Sequence, residues 1–183
     1  MPTERNDFYK IGDKFVTILG DDVKVGDAAP EFTSVLPGWA FVKPLEESKG
    51  KVIILSAVPS LETDVCDRET RRFNEEASNL SDAIVIYTIS TDFPMTQARW
   101  CGAAGIDTVK VASDVLEAEF GLKYGLLIKE RQYLRRSVFI VNREGKLSYV
   151  NYLPTWARTR LQRSNIRSKE STQISHIRRK LYG

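Results

Sequence analysis

Two stretches of the chain are apolar at nearly every position, Val52–Ala57 and Ile84–Ser90. Unbroken runs of that length predict strands covered on both faces of a sheet. Between them Cys66, Thr70, Phe73, Ala77 and Leu80 recur at i, i+4, i+7, i+11 and i+14, which is one face of a helix. Pro59 breaks the first strand, and Ser60 or Thr63 can cap the helix that follows. Thr91-Asp92-Phe93-Pro94 signals a second helix with proline in its first turn. On it Pro94, Ala98 and Cys101 would share a face, with Gly102 and Gly105 marking the exit. Phe15–Leu19 and Val23–Val25 flank Gly20-Asp21-Asp22 and read as an N-terminal β-hairpin. Ser137–Val141 and Leu147–Tyr152, split by Asn142-Arg143-Glu144-Gly145, read as a closing hairpin. Shorter expectations are a charged loop over Glu46–Lys51, a strand over Val109–Ala112, and a helix over Val115–Phe120 ending at Gly121. Strands alternating with helices and closing on a hairpin predict an α/β fold, a central mixed sheet flanked by helices.

Composition narrows the class. The 183 residues are enough for one domain with a sizeable core. With 42% hydrophobic and 28% charged residues, the chain has the balance of a soluble globular protein. The opening Met1–Asp7 is polar and lacks the apolar centre of a signal peptide, and no apolar window is long enough to span a bilayer. A cytoplasmic, reducing location is therefore expected, where two cysteines are more often redox-active or incidental than a structural staple. One histidine and two cysteines make no zinc set.

Cys66 carries the candidate chemistry. It falls in the first turn of the predicted helix, where free backbone N–H groups and the positive end of the macrodipole favour the thiolate, the nucleophilic form. By position alone a lone cysteine on an apolar helix face is more often a small core residue. The words around it separate the two. Val58-Pro59-Ser60-Leu61-Glu62-Thr63-Asp64-Val65-Cys66 resembles the active-site signature of the peroxiredoxins, in the form found in their thiol peroxidase branch, an atypical two-cysteine type. Arg99-Trp100-Cys101-Gly102-Ala103-Ala104-Gly105-Ile106 is similar to that branch's resolving-cysteine segment, and Cys101 lies 35 positions after Cys66. Gly26–Phe32 resembles the family's entry segment.

The resemblance implies a thioredoxin-like fold, a peroxidatic Cys66 with Thr63 as its hydroxyl partner in the Pro59 loop, and a distant arginine just before a late strand. Arg135 and Arg136 both stand there, and Arg136 aligns better. It implies reduction of hydrogen peroxide or organic hydroperoxides, an intramolecular Cys66–Cys101 disulfide, and recycling by a thioredoxin-type reductant. It also implies a homodimer, and requires no metal, haem or flavin.

The chain departs from this pattern in places. Glu62 stands where the family usually has aspartate. Asp64 and Asp67 put negative charge beside Cys66, with Arg68, Arg71 and Arg72 close enough in sequence to offset it. Resemblance covers roughly residues 13–154 and then stops. Residues 155–183 carry +7 and residues 1–154 carry −4, so an acidic domain, 1–154, is followed by a basic tail, 155–183. A basic tail can serve nucleic acid or an anionic membrane, but this one has neither an amphipathic stripe nor interleaved aromatics, and neither partner is expected. Back-translation of residues 155–166, shifted by one nucleotide, can give LGQEPDYKEAI, similar to the family's acidic terminus. The tail accordingly reads as frameshift-derived and partly disordered. The rival function is a non-catalytic thioredoxin-fold protein whose tail binds an acidic partner. A disulfide oxidoreductase is disfavoured because there is no C-x-x-C.

Overall fold

The computed structural model describes residues 1–77 and 82–153. The proposed tail, its frameshift origin and Leu80 lie outside the described residues. In chain order the elements are β1 (Glu4–Ile11), β2 (Lys14–Leu19), β3 (Ser34–Val35), β4 (Phe41–Val42), α1 (Pro44–Glu47) and β5 (Val52–Ala57). Then come α2 (Asp64–Ala77), β6 (Ile84–Ser90), α3 (Pro94–Ala104), β7 (Lys110–Ser113) and α4 (Glu119–Lys123). β8 (Leu127–Ile128), β9 (Tyr133–Leu134), β10 (Ser137–Val141) and β11 (Leu147–Tyr152) complete them.

Among the described residues, a seven-stranded sheet runs in the order β11-β10-β5-β6-β7-β3-β4. β5, β6 and β7 are mutually parallel, while β10 runs antiparallel to β5. This is the mixed α/β sheet that the strand and helix pattern predicts. Its two faces follow from the two-residue period of a strand. Ile53, Leu55 and Ala57 of β5 join Tyr87, Ile89, Phe139 and Val141 in one cluster, completed by Phe120 and Tyr124 of the α4 region. Val52 and Ile54 point the other way and meet Ile86, Val138, Ile140 and Phe73 of α2. Burial on both faces is why β5 and β6 lack polar alternation. In the first cluster Phe120, Tyr124 and Phe139 pack with centroids 4.7–6.2 Å apart, each contact adding about 0.5–1.5 kcal/mol beyond area burial.

Several local expectations are corrected. The N-terminal hairpin pairs β1 with β2 around Gly12-Asp13, with Ile11 opposite Lys14, not residues 15–19 with 23–25. Gly20, at φ +85°, turns the chain so closely past Leu122 that a Cβ would lie 1.9 Å from its carbonyl oxygen. Beyond it, Val23 N–H donates to the Tyr152 hydroxyl and Lys24 N–H to Asp27, so a ladder is unnecessary. Glu46 and Glu47 belong to α1, not to a loop. Residues 115–117 are not helical, and Gly121 lies inside α4. The cause is Asp114, whose carboxylate accepts the N–H groups of Phe120 and Gly121 and so starts the helix later. On α3 the buried residues are Pro94, Gln97 and Trp100, while Ala98 is exposed. That helix ends on Gly105 in the left-handed conformation, at φ +65°.

Candidate active site

β5 delivers the chain to the candidate site, and Pro59 ends it. The Ser60–Leu61 turn after it is held by Asp92, two residues beyond β6. Ser60 Oγ donates to Asp92 Oδ1 at 2.7 Å, and Leu61 N–H donates to Oδ2 at 2.8 Å. Ser90 Oγ donates to the same carboxylate at 2.8 Å. Ser60 therefore anchors the loop instead of capping the helix, and its oxygen also accepts Glu62 N–H at 3.2 Å. α2 begins directly afterwards, and Cys66 sits in its first turn, as the periodicity predicts.

Cys66 is fully buried, packed with Val58, Leu61, Trp100 and Val111. Two donors nevertheless converge on its sulfur. Thr63 Oγ1 donates to Sγ at 2.8 Å and Arg136 Nη2 at 2.9 Å. Thr63 is itself exposed, so the sulfur lies one side chain below the surface. Arg136 reaches it because β10 pairs with β5, with Ser137 opposite Ala57. Of the two arginines, Arg135 is buried elsewhere, donating to Gly125 O and Asp22 with its guanidinium 4.0 Å from the Tyr152 ring centroid. Thus Thr63, Cys66 and Arg136 meet in one place, and Pro59 lies in the segment between β5 and α2.

Glu69, which sequence reasoning missed, completes the group by accepting from Arg136 Nη1. It stands three positions after Cys66, on the adjacent face of α2, and an ordinary surface glutamate would look the same in sequence. Burial pushes its carboxyl upward, with the Arg136 charge opposing. Burial also pulls the Arg136 guanidinium down, but the Glu69 and Cys66 charges prevail and leave it raised. Arg136 thus stays a cation between an acid and a sulfur. Asp92 was legible only as part of a helix start. Of the two acids expected beside the sulfur, Asp67 turns to Arg71 and the Trp100 indole, and the Arg71 hydrogen bond chiefly holds its carboxyl below the usual range. Glu62 pairs with Arg99 on the surface.

Cys101 lies in α3, partly buried against the Cys66 cluster, and both cysteines are free thiols. Burial pushes the Cys101 thiol up, which keeps it protonated in this closed arrangement. Among the described residues no group of three His, Cys, Asp or Glu side chains is gathered to hold a metal.

A sulfur with a hydroxyl and a guanidinium aimed at it is equipped for attack on a polar, charge-accepting bond. Comparison with known proteins fixes the family. The Redoxin family model matches residues 24–167. The thiol peroxidase of Bacillus subtilis (strain 168) is 52% identical over 138 residues, 75% of this chain and 81% of that one. This chain is a member of the thiol peroxidase family. The thiol peroxidase of Oceanobacillus iheyensis is likewise 52% identical, over 75% of this chain and 83% of that one. Among solved structures, a peroxiredoxin-like protein from Aquifex aeolicus superposes with a TM-score of 0.68 at 37% identity, over 76% of this chain and 82% of that one. A thiol peroxidase from Chromobacterium violaceum reaches 0.69 at 23% identity, over 80% and 86%, and speaks for the thioredoxin-like peroxiredoxin fold alone. Among the described residues, no helix of this thiol peroxidase family member is long and apolar enough to cross a membrane.

Proposed function

We propose that Cys66 is the peroxidatic nucleophile of a cytoplasmic, thioredoxin-recycled peroxidase acting on hydrogen peroxide or organic hydroperoxides. The observation that carries this reading is the pair of donors, Thr63 Oγ1 and Arg136 Nη2, both within 2.9 Å of one sulfur. The same donors that hold negative sulfur can receive the oxygens of a peroxide lying in line with it. Cys66 sulfur attacks the terminal peroxide oxygen, the O–O bond breaks, and the departing oxygen takes a proton to leave as water or an alcohol. Cys66 is left as a sulfenic acid. The Cys101 thiol then displaces its hydroxyl, forming the Cys66–Cys101 disulfide and releasing water. A dithiol reductant restores both thiols by exchange. The working unit is a homodimer, a reading supported by exposed apolar side chains at Phe41, Phe93, Met95 and Leu116.

The test is peroxide consumption with a thioredoxin system, alongside mass spectrometry of the oxidised chain. Wild type turns over and yields a Cys66–Cys101 disulfide. Cys66→Ser abolishes consumption, and Cys101→Ser reacts once but loses reductant-supported turnover. Turnover that survives Cys66→Ser sinks the proposal.

A further inference from the structure

On α2, Asp67, Arg71 and Asn74 stand at i, i+4 and i+7 and so share one face. That face is polar, yet it lies against the end of α3 and the loop after it. Asp67 Oδ1 accepts the Trp100 indole N–H at 2.9 Å. Arg71 Nε donates to both Asp67 oxygens, at 3.0 and 2.9 Å, and Nη1 donates to the Ala104 carbonyl at 3.1 Å. Ala104 is the last residue of α3, whose carbonyl has no partner within the helix. The Arg71 guanidinium also lies 5.7 Å from the Trp100 ring centroid. Farther along, Asn74 Oδ1 accepts the N–H groups of Asp107, Thr108 and Val109 at 3.3, 2.9 and 3.0 Å. Cys101 falls inside the segment that these three side chains grip.

We propose that Asp67, Arg71 and Asn74 act as a clasp on Trp100 and the end of α3, and that its opening releases Cys101 and sets the rate of disulfide formation. This rests on the peroxidatic reading of Cys66. A disulfide needs Cα atoms about 4.4–6.8 Å apart and an open approach to the sulfur. Here the two thiols are free, Cys66 enclosed by Trp100 and its cluster and Cys101 part-buried on another helix, and on this proposal α3 moves before the sulfurs bond. Moving its last turns means breaking the bonds just described. The closed clasp keeps the Cys66 pocket intact for peroxide, and every moment it stays shut leaves the sulfenic acid waiting. A second peroxide can then oxidise that sulfur to sulfinic acid, leaving as water or an alcohol. Clasp strength therefore sets the balance between prompt resolution and overoxidation. Asp67, Arg71, Asn74 and Trp100 are positioning residues, because none donates to the reacting sulfur.

Trp100→Phe removes the indole donor and keeps a ring in the cluster. Asn74→Ala weakens the far end of the clasp, away from both cysteines. In the reduced full chain, amide hydrogen exchange over residues 98–109 should be faster in both variants. After one equivalent of hydrogen peroxide, Asn74→Ala, which touches neither cysteine, should form sulfenic acid at the wild-type rate. Disulfide should then form roughly 2- to 10-fold faster in Trp100→Phe, as expected for loss of one net hydrogen bond, and at least as much faster in Asn74→Ala, which removes the acceptor of three N–H groups; sulfinic acid should require correspondingly more peroxide. Unchanged exchange in both variants, or faster exchange without faster disulfide formation, overturns the clasp. A wild-type Cys66 that stays reduced under peroxide overturns the peroxidase reading instead; the exchange measurement needs no peroxide and judges the grip separately.

Discussion

Arg136 is placed to do two jobs, and one pair of variants separates them. Arg136→Met removes the Nη2 donor that lies 2.9 Å from the Cys66 sulfur, leaving Thr63 as the remaining side-chain donor there. Losing one preorganised donor of this kind costs about 10²–10³-fold in rate. It also strands Glu69. The two side chains are only 18% and 16% exposed, so the carboxylate left behind has little water to turn to. Breaking such a pair costs about 3–5 kcal/mol, and the residual exposure puts this one near the lower end. Glu69 already titrates upward through burial with Arg136 present. Alone, its folded-state value stands above the unfolded one of about 4.3. The folded state then binds the proton first, so the stability loss is greatest at neutral pH and shrinks as pH falls toward that value. Adding Glu69→Gln removes the stranded charge and should restore most of the stability, while the rate stays low because the sulfur still lacks its guanidinium. Denaturant unfolding at pH 7 and pH 5 reads the first effect, and stopped-flow peroxide consumption the second. A double variant whose rate returns to within about tenfold of wild type would refute a direct action of Arg136 on the sulfur.

Two further outcomes follow from carboxylates, one part-buried and one buried. Asp92→Ala leaves Leu61 N–H, Ser60 Oγ and Ser90 Oγ without their acceptor; a buried orphan costs about 1–3 kcal/mol and a part-exposed one less. The melting temperature and the rate with peroxide should fall together, and a stable but slow or a fast but unstable variant would contradict the anchoring role. Asp114 is pushed up to about 7, chiefly by burial and against the N–H groups of Gly121 and Phe120. Its folded value exceeds its unfolded one, so its contribution to stability declines as pH rises from about 4 to about 7, by up to about 4 kcal/mol, and is level above. The stability difference between wild type and Asp114→Asn should slope across that window; a flat difference rejects the assignment.

The long elements were readable because their pattern is redundant. β5 and β6 fall where unbroken apolar runs put them, since both faces of each are buried, and α2 carries its Cys66–Thr70–Phe73 face inward as spaced. The two-residue strands β3, β4, β8 and β9 hold no period to read. The hairpin around residue 20 and the helix at 115–120 differ from expectation because side chains satisfy backbone groups there, Tyr152 from across the fold and Asp114 from just before the helix. At the candidate site, Thr63 and Cys66 were legible as a local motif and Arg136 through family likeness. Glu69, Asp92 and the Asp67–Trp100 contact were not, because each acts across elements separated by tens of residues.

The pairing of β10 with β5 also determines when the chain becomes reactive. Cys66 and Arg136 are 70 residues apart and meet only through that pairing. A chain still on the ribosome with β10 unmade has its motif cysteine but no guanidinium over the sulfur. If Cys66 is the peroxidatic residue, its guanidinium partner arrives only with β10, the strand between β5 and the edge strand β11.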